Sequence, residues 1–121
     1  MSINNPQKPA PQTPLTVVNQ RMAAHNQHDL AAFLAVYAAD IQIYDYPDIP
    51  LGRKGKAHLQ SIFEPLFDDK AVQVDIHYQV ENGVHVVNHE TVTRRGERFE
   101  YISIYEVQDG LIVNVRFIKN H

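Results

Sequence analysis

The strongest constraint on the fold is a change of hydrophobic period. Up to about residue 70, apolar side chains recur at helical spacing; from Ala71 onward they alternate with polar ones, as in strands with one wet face. Three glycine turn signals, Asn82-Gly83, Arg95-Gly96 and Asp109-Gly110, cut this second half into four β-rich runs. Runs joined by such short turns pair antiparallel, so the C-terminal half reads as a meander. The helical half must then form the layer that covers one face of it.

In that helical half, Thr13-Pro14 predicts an N-cap followed by proline at the first helical position. Leu15, Val18, Met22 and His25 share one face of a helix that runs to about Gln27. Asp29 caps a second helix, with Leu30, Phe33, Leu34 and Tyr37 at helical spacing. A strand at 41–46 follows. Gly52 and Gly55 precede a third helix carrying Leu59, Ile62, Phe63 and Leu66, which Pro65 is expected to kink or end. The expected organisation is a flexible proline-rich lead-in at 1–13 and a single α+β domain at 14–121, with three N-terminal helices on a curved antiparallel sheet.

Composition excludes several classes of function. The formal net charge is −3, and Arg94, Arg95 and Arg98 surround a glycine as the tip of a hairpin would, so no basic stripe marks a nucleic-acid binder. With no cysteine, disulfides, thiolate catalysis and cysteine-held zinc are excluded. No apolar run approaches the roughly 20 residues of a membrane span, and the N-terminus has no apolar signal segment. A cytoplasmic protein without membrane association is expected.

The stretch IQIYDYPDIP points to chemistry. Ile41 and Ile43 alternate with Gln42, and on that period the next inward residue is Asp45, where an isolated charge is costly. A two-residue turn at Asn82-Gly83 would set Tyr78 opposite Val87 and Ile76 opposite His89, placing Val74, Ile76, Tyr78, Val80, His85, Val87 and His89 inside. A three-residue loop at 94–96 would bring Tyr101, Ser103 and Tyr105 to the same side, whereas a two-residue loop would put Ile102 and Ile104 there. On the last strand Val113, Val115 and Phe117 are the inward set. The expected interior is a cavity lined by Ile43, Phe63, Ile76, Val87, Val115 and Phe117. Its polar tips are Asp45, His89, Tyr101, Ser103, Tyr37 and Tyr78, the pattern of a small-molecule site.

Each polar residue admits two readings. Asp45 is a general base or a strand-end residue bonded to backbone amides of the Tyr46-Pro47 turn. His89 is catalytic or a core histidine satisfied by Tyr101, which itself either donates to a substrate oxygen or lines the wall. Arg21 is an anion contact or a solvated helix arginine. His85 and His89 lie about 13 Å apart along a strand, too far to share a metal. Neither a metal nor a cofactor is expected. The outward face, with Val84, Val86, Val92, Ile102, Ile104, Ile112 and Ile118, is more apolar than a monomer usually exposes, and a homodimer through it is expected.

These residues together resemble the NTF2-like superfamily in its SnoaL-like and ketosteroid-isomerase-like branch, over about residues 15 to 119. The resemblance is carried by Asn26 and Asp29 at a helix junction, Tyr37-Ala38-Ala39-Asp40, Asp45 near a proline, Gly52 and Gly55, and Asp109-Gly110-Leu111-Ile112. It implies a cone-shaped, cystatin-like fold enclosing a pocket, commonly dimeric. In ketosteroid isomerases the base is an aspartate at the end of strand one before a proline, the place of Asp45. Their oxyanion tyrosine would fall near Arg21 or Met22 and their second aspartate near Ser103, so those groups are missing. The leading expectation is cofactor-independent proton abstraction next to the carbonyl of a largely apolar ligand, as in an isomerase, cyclase or lyase. Asp45 would be the base, with His89 and Tyr101 steadying the enolate oxygen. The alternative is a non-catalytic ligand-binding or dimeric interaction module.

Overall fold

The computed structural model describes residues 12–119, so nearly all of the predicted lead-in lies outside the described residues. The element order is α1 Pro14–Asn26, α2 Leu30–Ala35, β1 Tyr37–Asp45, β2 Ile49–Pro50, α3 Lys56–Phe67, β3 Gln73–Asn82, β4 His85–Arg94, β5 Glu97–Gln108 and β6 Leu111–Lys119. The six strands form one sheet in the order β2-β1-β6-β5-β4-β3. β1 runs parallel to β6, and every other pairing is antiparallel. The α+β class and the three helices on a curved sheet are as expected.

Local chemistry explains the helix limits. The Thr13 hydroxyl accepts from the Thr16 amide at 3.1 Å, and the Asp29 carboxylate accepts from the Ala32 amide at 3.1 Å. Between them, Asn26 acts as a substitute strand partner for the sheet edge. Its Nδ2 donates to the Val74 carbonyl at 2.9 Å and its Oδ1 accepts from the Val74 amide at 2.8 Å. The junction that carries the family resemblance is thus a clamp between α1 and β3. Tyr37 opens β1 rather than closing α2. Pro65 does not end α3, which continues to Phe67. Phe67 is 3% exposed and packs edge-on against Phe33 at 5.2 Å, a burial that outweighs the local cost of the proline.

The sheet register differs from the expectation in three places. The β3–β4 turn is Gly83-Val84, with positive φ at Gly83 and Asn82 opposite His85. β3 also carries a bulge at His77: Ile76 faces Glu90, and the next pair is Tyr78 with His89. Beyond the bulge the even residues of β3 change sides, leaving Tyr78 74% and Val80 60% exposed. On β4 the inward residues are therefore Val86, Asn88, Glu90 and Val92, and His85, Val87 and His89 lie on the outer face. The β4–β5 loop has two residues, Arg95 and Gly96, both left-handed. Two register differences cancel, so Tyr101, Ser103 and Tyr105 still point inward. Ile102, Ile104 and Ile118 are outward as expected, whereas Val86 and Ile112 are fully buried. A second bulge on β6, between the pairs Glu106–Asn114 and Val107–Ile112, brings Ile112 to the core.

Candidate functional site

The core between helices and sheet is aromatic at its centre, with Phe33, Phe63 and Phe67 packed around His25 at ring separations from 4.5 to 6.3 Å. Beside this cluster the two layers part to leave a cavity of about 200 Å³. Its apolar wall is Ile43, Leu51, Ile62, Phe63, Leu66 and Phe117, and its polar residues include Asp45, Arg21, His25, Glu90, Arg94 and Tyr101.

Strand pairing explains how the polar groups converge. Asp45 ends β1 opposite Phe117 of β6, and Phe117 lies opposite Ser103 of β5. Tyr101 lies one pleat along, between Lys119 and Glu90. The side chain of Asp45 is half-buried and has no hydrogen bond or ion pair among the described residues. The backbone-bonded alternative for this residue is therefore not what the structure places there. The Tyr101 hydroxyl accepts a short hydrogen bond from Arg94 Nη2, and this leaves its own proton free to donate into the cavity.

Glu90 is 1% exposed, yet it lines the cavity. Ser103 Oγ donates to it at 2.7 Å and Asn88 Nδ2 at 3.3 Å. The chain of bonds continues outward through Gln79 to Asn19 on α1. Ser103, expected to touch ligand, instead fixes a buried carboxylate.

Arg21 is 4% exposed at the inner end of the cavity. Its guanidinium lies over the rings of Phe33, Tyr105 and Phe63, at 5.0, 5.6 and 5.9 Å from their centroids. Nε donates to the Tyr37 hydroxyl at 2.9 Å. Burial works to lower its pKa, but Tyr105, Tyr37 and Glu90 outweigh that, so it stays charged. Next to it His25 is pushed down to about 3, by burial first and then by the charge of Arg21. Its Nδ1 lies 3.2 Å from Asn26 Oδ1, a carbonyl that can only accept. The neutral ring thus carries its proton on Nδ1 and a lone pair on Nε2.

Of the residues expected at the site, Ile43, Asp45, Phe63, Tyr101 and Phe117 meet in this cavity. Tyr37 is buried behind it as the partner of Arg21, while Val115 belongs to the solid core and Ile76 packs half-buried against it. Three placements are corrected by the β3 bulge: Tyr78, Val87 and His89 face the other side of the sheet. There the His89 ring stacks on Tyr78 at 6.1 Å and its Nε2 lies 3.8 Å from Glu100. Sequence reasoning passes over Glu90 because it turns the even residues of β4 outward, and over Arg94 because it places that residue in the hairpin loop, whereas Arg94 ends β4 opposite Glu97. Moving the turn on by two residues leaves the same side of β4 inward; the reversal comes from the one-residue bulge at His77, for which the sequence carries no signal.

Among the described residues no helix is long and apolar enough to cross a membrane, and no group of three or more acidic or histidine side chains is placed to hold a metal.

A sequence model of the SnoaL-like domain matches residues 18–115. No curated protein matches the chain. Among solved structures, an NTF2-like protein of unknown function from Cytophaga hutchinsonii superposes with a TM-score of 0.80 at 15% identity, covering 93% of this chain and 95% of that one. An LEH-like epoxide hydrolase of M. tuberculosis gives 0.71 at 18% identity, with coverages of 88% and 82%. A computationally designed 17-OHP binder gives 0.76 at 20% identity, with coverages of 90% and 92%. These likenesses concern the fold, on which different activities and none are hosted. With the helix junction, the parallel β1–β6 pair and the cavity all in place, and a domain model spanning most of its length, the chain belongs to the SnoaL-like family.

Proposed function

We propose that the cavity binds a small, largely apolar carbonyl compound and removes a proton next to its carbonyl. The observation that carries this reading is Asp45: a carboxylate on the cavity wall with no hydrogen bond or ion pair among the described residues, in the same cavity as a tyrosine hydroxyl that accepts from arginine and keeps its own proton to donate. Asp45 takes the α-proton, and Tyr101, backed by Arg94, donates to the oxygen as negative charge builds on it. Phe63, Ile43 and Phe117 hold the apolar body of the ligand and exclude water. His89 has no part in this scheme. The step needs no cofactor, and the product follows from where the proton is returned.

The test is deuterium exchange at the α-carbon of small cyclic and aryl ketones in D2O, followed by NMR. Wild-type protein should accelerate exchange for at least one ketone. Asp45→Asn should lower that rate by about 100-fold or more, while changing stability by no more than about 0.5 kcal/mol. If no ketone exchanges faster than in buffer, or if the Asp45→Asn rate equals the wild-type rate, the reading is wrong.

Two further features complete the proposal. The outer face, where Tyr78, Val80, Val87, Ile102, Ile104 and Ile118 are exposed or half-buried, is the surface through which two copies pair. The cytoplasm is the proposed site of action, since a chain without cysteine relies on no oxidising compartment.

A further inference from the structure

The cavity holds a cation that the proposed reaction does not use. Arg21 has an engaged Nε, and one Nη1 hydrogen points at the thioether of Met22 at 3.4 Å, a weak acceptor. A guanidinium has five N–H groups, so three are left without an acceptor among the described residues. Among the described residues no carboxylate lies within ion-pair distance of it, and the ion pairs there involve His85, His89 and Arg116. Glu90 attracts it from farther off, but the oxygens of Glu90 are held by Ser103 and Asn88. The aromatic faces around Arg21 favour a cation, yet they satisfy none of its hydrogens. His25 faces it from α1 as a neutral ring and adds no countercharge.

A buried charge with no countercharge beside it and most of its donors unsatisfied is costly. Water would satisfy the donors without neutralising the charge. A planar anion would do both, because the guanidinium fork matches two carboxylate oxygens. We infer that Arg21 is a specificity-determining residue that receives the carboxylate of the ligand, so that the substrate class is small carboxylic acids carrying an aryl or branched apolar body. The cavity volume of about 200 Å³ equals roughly seven waters of liquid and lies below the usual range for drug-sized ligands. A single ring or branched chain with one carboxylate fits it. The lining residues support the division of labour: Arg21 and His25 come from α1, the apolar middle from β1, β6 and α3, and Tyr101 with Arg94 from β4 and β5.

This inference rests on the proposed reading only in taking the cavity as the ligand site, and a ligand with no α-proton separates the two. Benzoate and its uncharged counterpart benzamide are to be titrated calorimetrically at neutral pH. Wild-type protein should bind benzoate at least tenfold more tightly. Arg21→Gln should bring the two to parity. Arg21→Lys, which keeps the charge but loses the fork and serves if the glutamine variant does not fold, should weaken benzoate at least fivefold. Preferred binding of benzoate by wild type without acceleration of exchange in any ketone would remove the base assignment alone and leave the carboxylate site standing. Equal affinities in wild type, no benzoate binding at millimolar concentration, or an unchanged benzoate affinity in Arg21→Lys would each overturn the carboxylate site.

Discussion

His25 shows how one side chain couples the site to stability. The free imidazole titrates near 6.5, but in the fold its pKa is pushed down to about 3 by burial and by Arg21. Below about pH 6.5 the unfolded chain takes up a proton that the native ring refuses. The stability this group contributes is therefore complete above that pH and falls, by about 1.4 kcal/mol per pH unit, as the pH drops toward 3. The expected outcome in urea unfolding is that wild type loses more stability than His25→Phe between neutral pH and about pH 5. Carboxylates act equally in both proteins, so the difference isolates the histidine; parallel pH curves would refute its neutral, buried state. The phenylalanine suits a pocket already formed by Phe33, Phe63 and Phe67, although it gives up the bond to Asn26.

Among the secondary-structure elements, the hairpins decide which side chains reach the cavity. The β4–β5 loop holds Arg95 at φ 51° and Gly96 at φ 78°, the left-handed pair of a tight two-residue hairpin. A side chain at such an angle costs on the order of 1–2 kcal/mol unless the residue tolerates it. Gly96→Ala should therefore destabilise by about 1 kcal/mol even though open space surrounds the new methyl group. Arg95→Asn, which creates the preferred pair for this turn, should stabilise by about 0.5 kcal/mol. Thermal denaturation of both variants checks this, and equal signs would argue against a left-handed pair. The bulge at His77 acts over a longer range. One unpaired residue carries Tyr78 and Val80 to the outer face, and the pairing from Gly83 onward puts Glu90 and not His89 inside. From the residues alone β4 offers no decision, since His85, Val87 and His89 are no more apolar as a set than Val86, Asn88, Glu90 and Val92.

For the molecule as a whole, the outer sheet face tests assembly. Ile104→Glu puts a charge opposite Val87 on that face without touching the cavity. If two copies pair there, the variant should elute as a monomer where wild type elutes as a dimer; an unaltered elution volume would remove the face from consideration. The α+β class, the helix starts, the four-strand meander and the inward Asp45 could all be read in the chain, because each follows from local signals: caps, alternation and glycine turns. The cavity's other charges could not. Arg21 lies on a helix where arginine is ordinarily solvated, and only the approach of β4, β5 and α3 buries it among Phe33, Phe63 and Tyr105. Glu90 and Arg94 face the cavity because of pairings many residues away in the chain. Periodicity thus established that one side of each strand is buried. Which side that is at His89 and Glu90 was decided by a single bulge, because a one-residue slip reverses every side chain beyond it.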